Sequence, residues 1–123
     1  MDTNILVIGS GISGLTYAIK IAQQNPSLEI VMISKNTLLE SNTRYAQGGI
    51  AVVSNFKEDS FDKHIKDTMV AGAGECDQDV VKFVVKEGHD RLQELIDWGT
   101  HFDKQKNGLH LTQEGGHSEK RIV

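Results

Sequence analysis

The fold of this 123-residue chain is decided by the stretch Asn4-Ile5-Leu6-Val7-Ile8-Gly9-Ser10-Gly11-Ile12-Ser13-Gly14. It has the pattern of a short apolar strand, a glycine turn and the start of a helix. The glycines have the G-x-G-x-x-G spacing, which allows a tight turn, close approach to a pyrophosphate, and close packing of helix on strand. A helix N-terminus adds free N–H groups and a positive dipole end. The stretch therefore predicts a dinucleotide site.

A βαβ unit is predicted around this turn. Ile5 to Ile8 is a continuous apolar run, typical of a parallel strand covered on both faces. Ser13 to Gln24 has a helical period, and Pro26 prevents the helix from continuing. Glu29 to Ser34 is a second β-type run. The three elements occupy about 30 residues, the size of a βαβ unit with a right-handed crossover.

The end of the second predicted strand departs from the usual dinucleotide pattern. An Asp or Glu is expected there, about 20 residues past the glycines, to bind ribose hydroxyls. This chain has Ser34-Lys35 instead. Spacing alone leaves two interpretations open: the turn binds no dinucleotide, or Ser and Lys replace the acid together with backbone groups. Both make an NAD-specific site less favoured.

A long loop is predicted from Asn36 to Val53, with a β-type run only in its last four residues. It contains Ser41-Asn42-Thr43-Arg44-Tyr45-Ala46-Gln47-Gly48-Gly49. Loops of this length in compact domains are usually functional or disordered. Polar donors beside glycines favour a loop that wraps a cofactor. Arg44 is a candidate phosphate partner, although a solvated surface arginine explains it equally well.

Two helices are predicted in the second half of the chain. The first runs from Asp62 to Ala73, with Lys63 and Asp67 placed as an i,i+4 ion pair. The second runs from Val80 to Trp98 and is expected to kink or break near Gly88.

A hairpin and a site loop are predicted after the helices. His101 to Leu111 has two short β-type runs around the turn Lys106-Asn107-Gly108. In the following segment, Glu114 and His117 flank a Gly-Gly pair, which lets a substrate approach the backbone. The five histidines show no metal-binding spacing, so no metal site is predicted.

The composition excludes several functional classes. A net charge of −4 and a pI near 5.7 argue against nucleic-acid binding. Cys76 is the single cysteine, which fits a reducing compartment. Met1 leads directly into the first strand, without a signal-peptide pattern, and no apolar run approaches the ~20 residues of a membrane span. We therefore expect a soluble cytoplasmic protein with no nucleic-acid or membrane partner.

The ordered set of motifs resembles the N-terminal part of the L-aspartate oxidase family, within the succinate dehydrogenase and fumarate reductase flavoprotein superfamily. The resemblance covers essentially the whole chain. Its markers are Gly9–Leu15, Ser34-Lys35, Tyr45–Ala51, Asp67-Thr68, Gly72–Gly74 with Cys76-Asp77, and His110–Thr112 with Glu114–Ser118. It implies an α/β fold: residues 1–123 form the N-terminal portion of a Rossmann-like FAD-binding domain, ending near the start of the capping domain. That portion comprises a βαβ unit, a flavin loop, helices and a short β-hairpin.

The same resemblance implies FAD as a non-covalent cofactor. By this resemblance, Ser10 to Ser13 are expected to hold the pyrophosphate, Lys35 to lie at the adenosine ribose, and Asn42 to Gly49 to wrap the flavin end. Relatives that link FAD covalently carry Ser-His-Thr where this chain has Ser41-Asn42-Thr43. The implied cofactor residues are Gly9, Ser10, Gly11, Ile12, Ser13, Gly14, Lys35, Asn42, Thr43, Arg44, Tyr45, Ala46, Gln47, Gly48 and Gly49.

A role for Glu114 in substrate recognition is also implied. It matches the family position that orients the α-amino group of L-aspartate, and a carboxylate can pair with an ammonium. The implied reaction is oxidation of L-aspartate to iminoaspartate, with oxygen or fumarate as acceptor, as the first step toward quinolinate and NAD. Quinolinate synthase is an implied partner, and the catalytic base lies outside this chain.

Two alternatives stay open. A fumarate reductase or succinate dehydrogenase-like flavoprotein is disfavoured by Asn42 and Glu114. A non-catalytic nucleotide-binding module leaves the Tyr45–Gly49 and Glu114–Ser118 blocks without explanation. Because family members are several times longer, we expect the 123-residue chain alone to lack oxidase activity and to retain little FAD.

Overall fold

The computed structural model describes residues 2–46, 48–106 and 108–123. Two sequence predictions fall outside them: the cofactor contact of Gln47 and the turn conformation of Asn107. The chain divides into two compact units, Met1–Gly48 and Gly49–Val123. None of the helices in the described ranges combines the length and apolar character that crossing a membrane requires.

The first unit is the predicted βαβ unit. Strand β1 (Ile5–Ile8), helix α1 (Ile12–Gln24) and strand β2 (Ile30–Ile33) follow in order. The two strands pair in parallel, with Ile5 opposite Ile30 and Ile8 opposite Ile33. The element types are confirmed, and each boundary lies within one residue of its prediction.

One face of β1 is open within this unit, which corrects the expectation of a strand covered on both faces. Side chains alternate along a strand. Val7 is buried, while Leu6 is 51% exposed and Ile8 is 79% exposed. The continuous apolar run correctly indicated a strand, but none of the described residues of this unit covers Leu6 and Ile8.

The predicted long loop contains one helical turn, α2 (Asn42–Tyr45). It forms because the Ser41 side chain accepts a hydrogen bond from the Arg44 N–H at 3.3 Å, as an N-cap does. The cap thus gives part of the predicted loop a defined helical structure.

The second unit contains helices α3 (Phe61–Ala71) and α4 (Gln78–Asp97), followed by an antiparallel hairpin of strands β3 (Lys104–Gln105) and β4 (Gly108–Leu109). Ser60 caps α3 and Asp77 caps α4 through hydrogen bonds to backbone N–H groups. The predicted helices and hairpin are thus confirmed.

The predicted break at Gly88 is wrong, since α4 is a single helix of 20 residues. A β-carbon at Gly88 would lie 3.4 Å from Val52 Cγ2. Gly88 therefore packs beside a neighbour at ordinary contact distance, and the helix continues because a lone glycine costs only ~1 kcal/mol in a helix interior.

The core of the second unit forms around the segment that follows Gly49. Its apolar members are Val52, Val53, Val85, Leu92 and Ile122. Ala51 pairs with Ile122 in an isolated antiparallel bridge, and the Ile50 and Val123 backbones exchange hydrogen bonds of 2.9 and 3.1 Å. This pairing brings the last residues of the chain into the middle of the unit.

Candidate functional site

The glycine turn has the geometry of a phosphate-binding turn. β1 ends where the Gly9 N–H donates to the Ile33 carbonyl at 2.8 Å, and Gly9 has a φ of +110° that favours glycine. Ser10 is buried in the turn. Gly11 is the N-cap of α1 and has no side chain with which to cap it. The first turn of the helix therefore presents N–H groups that an anion can bind.

Gly14 allows α1 to pack directly on β1. A β-carbon at this position would lie 2.1 Å from the Gly9 carbonyl oxygen and 3.3 Å from Val7 Cγ1. Since the nearest atom belongs to the backbone, no rotamer change could relieve the clash. At Gly11 the nearest atom to such a β-carbon, Thr43 Oγ1, is 3.7 Å away, an ordinary contact. The two glycines therefore have different roles.

Thr43 connects the predicted cofactor loop to the glycine turn. Its hydroxyl oxygen accepts a hydrogen bond from the Ile12 N–H at 3.0 Å, across 31 residues of sequence. Ser41 fixes the position of Thr43 by capping α2. The structure thus brings together Gly9–Gly14 and Thr43, which were predicted to bind the same cofactor. The hydrogen bond between them was not predicted.

The other predicted cofactor residues lie mostly on the surface. Lys35 follows β2, two residues after the carbonyl that Gly9 contacts, and Ser34 beside it donates its hydroxyl to the Asn36 carbonyl. The Tyr45 hydroxyl donates to Glu40 Oε2 at 3.0 Å. The exposed members of the predicted set are Ile12, Ser13, Lys35, Asn42, Thr43, Arg44, Tyr45, Ala46, Gly48 and Gly49.

In the second unit, Glu114 lies on a loop closed at its base by an antiparallel bridge. The Thr112 N–H donates to the Ile122 carbonyl at 2.9 Å, and the Ile122 N–H donates back at 3.0 Å. Glu114 is exposed and borders a shallow cavity of about 350 Å³, whose other polar lining includes His101, Asp103 and His110. An exposed carboxylate beside a cavity can receive a cationic group from a small ligand.

A buried ion cluster of Arg121, Asp59 and Asp67 lies next to this loop. The Arg121 side chain is 0% exposed. Its Nε and Nη2 atoms donate to the two carboxylate oxygens of Asp59 at 2.8 and 2.7 Å, and its Nη1 donates to Asp67 Oδ2 at 2.6 Å. Arg121 Nη1 also lies 3.4 Å from His117 Nδ1. A bidentate pair with no solvent access is among the stronger electrostatic contacts in proteins.

No local sequence pattern indicates this cluster, and the predicted ion pair between Lys63 and Asp67 is wrong. The Lys63 ammonium instead lies 2.6 Å from the Glu119 carboxylate, while Asp67 accepts from Ser118 and Arg121. The Arg121 partners are 54 and 62 positions away in sequence. No local spacing can indicate contacts of that range, although an arginine directly before the apolar pair Ile122-Val123 is a weak sign of a buried charge.

The cluster shifts the pKa values of its members. Burial alone raises the pKa of the Asp67 carboxyl, but hydrogen bonds from Ser118 and Arg121, with the Arg121 charge, outweigh it and lower that pKa to about 2. Burial lowers the pKa of Arg121, but its bonds to Asp59 and Asp67 reverse the effect and raise it. Both ions are therefore held in their charged forms.

His64 packs beside this cluster as a neutral side chain. Burial, followed by the charge of Arg121 and by His117, lowers the pKa of His64 below 6.5, against the opposing effect of the two aspartates. Its ring lies edge-on to His117 at 5.8 Å, and its Nδ1 has no partner among the described atoms. Within the described ranges, no three His, Cys, Asp or Glu side chains group as metal ligands.

The sequence model of one protein family, described as FAD binding domain, matches residues 4–123. The chain belongs to the FAD binding domain family. This membership confirms the predicted cofactor, FAD, and agrees with the glycine turn, whose Gly14 packing and glycine N-cap suit a dinucleotide pyrophosphate.

Several relatives of this FAD binding domain are L-aspartate oxidases. The chloroplastic L-aspartate oxidase of Arabidopsis thaliana is 49% identical over 118 residues, which cover 95% of this chain and 18% of the relative. The L-aspartate oxidase of Vibrio cholerae is 43% identical over 126 residues, covering 98% of this chain and 23% of the relative. The chain spans about a fifth of the length of these curated relatives. The family resemblance drawn from the motifs is confirmed.

Solved structures confirm the α/β fold as part of an FAD-binding domain. E. coli quinol fumarate reductase matches with a TM-score of 0.87 at 33% identity, over 99% of this chain and 21% of the other. A Mycobacterium smegmatis Sdh1 complex matches with a TM-score of 0.84 at 30% identity, over 98% of this chain and 20% of the other.

Proposed function

We propose that this chain is part of an enzyme that oxidises L-aspartate to iminoaspartate with FAD, using oxygen or fumarate as the electron acceptor. The observation that carries the proposal is the identity of 41–49% to proteins named L-aspartate oxidase, over 95–100% of this chain. The reaction is the first step of quinolinate and NAD synthesis in that family, and the proposal extends to quinolinate synthase as the enzyme that takes the product.

The glycine turn is proposed to hold the FAD pyrophosphate. Bound FAD supplies the hydride acceptor, and the protein supplies binding and orientation. Gly11 adds no capping side chain at the start of α1. Gly14 keeps the helix packed on β1, which fixes the position of the N–H groups in its first turn. Ser10, Ile12 and Ser13 complete the cradle, with Lys35 at the ribose side and Asn42–Gly49 along the flavin.

Glu114 is proposed to orient the substrate by pairing with its α-ammonium group. Its side chain is exposed beside the cavity, and Gly115 and Gly116 next to it leave room for a ligand near the backbone. A fixed carboxylate favours an amino dicarboxylate over a dicarboxylate without the amine, because only the former offers an ammonium partner. Glu114 thereby supports L-aspartate as the substrate.

A second candidate function is the interconversion of succinate and fumarate. It is favoured by the fold similarity to E. coli quinol fumarate reductase. Two residues argue against it: Glu114, which such a substrate does not need, and Asn42, which cannot form the covalent flavin link of those relatives. The flavin of this protein is therefore proposed to be non-covalent. After acid precipitation of the loaded protein we expect it in the supernatant, whereas flavin in the pellet would contradict this.

The proposal for Glu114 is tested by Glu114→Gln in the full-length, flavin-loaded protein. We expect kcat/KM for L-aspartate to fall by about 10- to 100-fold, since a hydrogen bond to a charged group is worth about 1.5–3 kcal/mol. Succinate oxidation should change less than about twofold, a shift below 0.5 kcal/mol. Glu75→Gln, an exposed glutamate between α3 and α4, is the matched control. Equal losses for both substrates would exclude this role for Glu114.

A cytoplasmic location is proposed because Cys76, the only cysteine of the chain, is a free thiol that suits a reducing compartment. Residues 1–123 are proposed as the N-terminal portion of the FAD-binding domain, ending near the start of a capping domain.

A further inference from the structure

The Asp67 carboxylate fastens the loop that carries Glu114 to helix α3. A single oxygen, Oδ2, accepts three hydrogen bonds: from the Ser118 N–H at 2.8 Å, the Ser118 hydroxyl at 2.7 Å and Arg121 Nη1 at 2.6 Å. The Asp67 side chain is only 15% exposed. Charge-assisted bonds of this length are roughly twice as strong as neutral ones, and here they converge on one atom.

Arg121 and Asp59 hold this anchor rigidly. Asp59 binds the guanidinium through both of its oxygens, and neither side chain has appreciable solvent access. The remaining guanidinium nitrogen, Nη1, then lies at the Asp67 oxygen. The two hydrogen bonds to Asp59 fix one edge of the planar guanidinium. Its Nη1 therefore stays in one place and holds the Asp67 carboxylate in one orientation.

Only a short segment separates the anchor from Glu114. The His117 N–H donates to the Glu114 carbonyl at 3.3 Å, and Gln113 Nε2 donates to the His117 carbonyl at 2.7 Å. Between Glu114 and His117 lie two glycines, and Gly116 has a φ of +85°. The loop is therefore closed at its base by the Thr112–Ile122 bridge and held at Ser118, with two glycines directly after Glu114.

We propose that Asp67 is a positioning residue for substrate recognition, holding Glu114 at the cavity through Ser118 so that it can receive the ammonium of an amino dicarboxylate. This inference rests on the proposed function of Glu114. Asp67 acts through the loop and does not touch the substrate. Loss of the anchor lets Glu114 sample several positions, and a misplacement of about 1 Å in an active site can cost up to ~100-fold.

The test compares Asp67→Asn, Ser118→Ala and the control Asp62→Asn in the full-length flavin-loaded protein. Asp62 is an exposed aspartate in the first turn of the same helix. For Asp67→Asn we expect KM for L-aspartate to rise roughly tenfold with kcat nearly unchanged, and succinate oxidation to stay within about twofold. Ser118→Ala removes one of the three hydrogen bonds, so we expect KM for L-aspartate to rise in this variant too, but by a smaller factor.

Hydrogen exchange of the amides in residues 113–119 gives a readout that is independent of activity. These amides should exchange faster in Asp67→Asn and Ser118→Ala and at the wild-type rate in Asp62→Asn. If Asp67→Asn does not fold, Ser118→Ala carries the test, because it leaves the Asp67–Arg121 pair in place.

The outcomes separate this inference from the proposed function. If Glu114→Gln abolishes the preference for L-aspartate while Asp67→Asn and Ser118→Ala leave it unchanged, the positioning role is wrong and the proposed function stands. Parallel losses for L-aspartate and succinate in Asp67→Asn would show a structural role only and also overturn the positioning role. If Glu114→Gln itself leaves the preference unchanged, the substrate role of Glu114 is wrong, and the positioning role of Asp67 falls with it.

Discussion

Gly14→Ala should damage both the stability of the protein and its affinity for FAD. The added β-carbon would lie 2.1 Å from the Gly9 carbonyl oxygen, whereas ordinary contact begins near 3.4 Å. Helix and strand must therefore separate by about 1 Å. Overpacking of this kind costs roughly 1–3 kcal/mol, and the gain in helix propensity offsets up to ~1 kcal/mol. We expect a net destabilisation of about 1–2 kcal/mol.

The effect on FAD follows from the same displacement. A helix moved by about 1 Å no longer places its N–H groups at the pyrophosphate, and losing one charge-assisted hydrogen bond weakens binding by about 10- to 100-fold. Urea unfolding of the flavin-free full-length protein measures the first effect. Titration with FAD, followed by flavin fluorescence, measures the second.

Gly11→Ala is the matched control for Gly14→Ala. Its backbone angles, φ −73° and ψ 175°, suit alanine, and the new β-carbon would be 3.7 Å from Thr43 Oγ1. We expect the free energy of unfolding to change by less than about 0.5 kcal/mol, while FAD affinity falls because the β-carbon blocks close approach of the pyrophosphate. The reasoning is refuted if Gly14→Ala unfolds at the wild-type urea concentration and binds FAD with wild-type affinity.

Three further predictions concern individual contacts. The folded-state pKa of Asp67, about 2, lies below 3.8, so Asp67 contributes about 2 kcal/mol to the free energy of unfolding above about pH 5, and this contribution is lost as pH falls toward 2. Urea unfolding should show this pH dependence in the wild type and lose it in Asp67→Asn. Arg121→Met leaves the Asp59 carboxylate buried without its partner and should cost about 3–5 kcal/mol, whereas an unfolding midpoint like that of wild type would contradict it. Thr43→Val removes the acceptor for the Ile12 N–H and should weaken FAD binding several-fold in a fluorescence titration, while Thr43→Ser restores it; equal affinities in both variants would count against the contact.

Local signals were sufficient to predict most of the fold. The apolar run at Ile5–Ile8, the glycine spacing and the break at Pro26 each act within a few residues, and together they gave the βαβ unit with boundaries within one residue. At Gly88 the same kind of signal failed, because a glycine inside a continuous helix has the same sequence pattern as one that breaks a helix.

The candidate site was predictable only in part. The Gly9–Gly14 turn and the Glu114 loop were recognisable from motifs of adjacent residues. The Asp59–Arg121–Asp67 cluster was not, because its members come from three distant segments and the i,i+4 rule favoured the wrong partner for Asp67. The bond from the Ile12 N–H to the Thr43 hydroxyl depends likewise on the one-turn helix after Ser41.

The central claim is that the flavoprotein containing this chain oxidises L-aspartate. The most direct measurement is anaerobic mixing of the full-length, FAD-loaded protein with L-aspartate or with succinate, followed by the flavin absorbance band. We expect L-aspartate to bleach the band rapidly and succinate to do so far more slowly, with recovery when oxygen or fumarate is added. Bleaching by succinate alone, or by neither compound, would contradict the assignment.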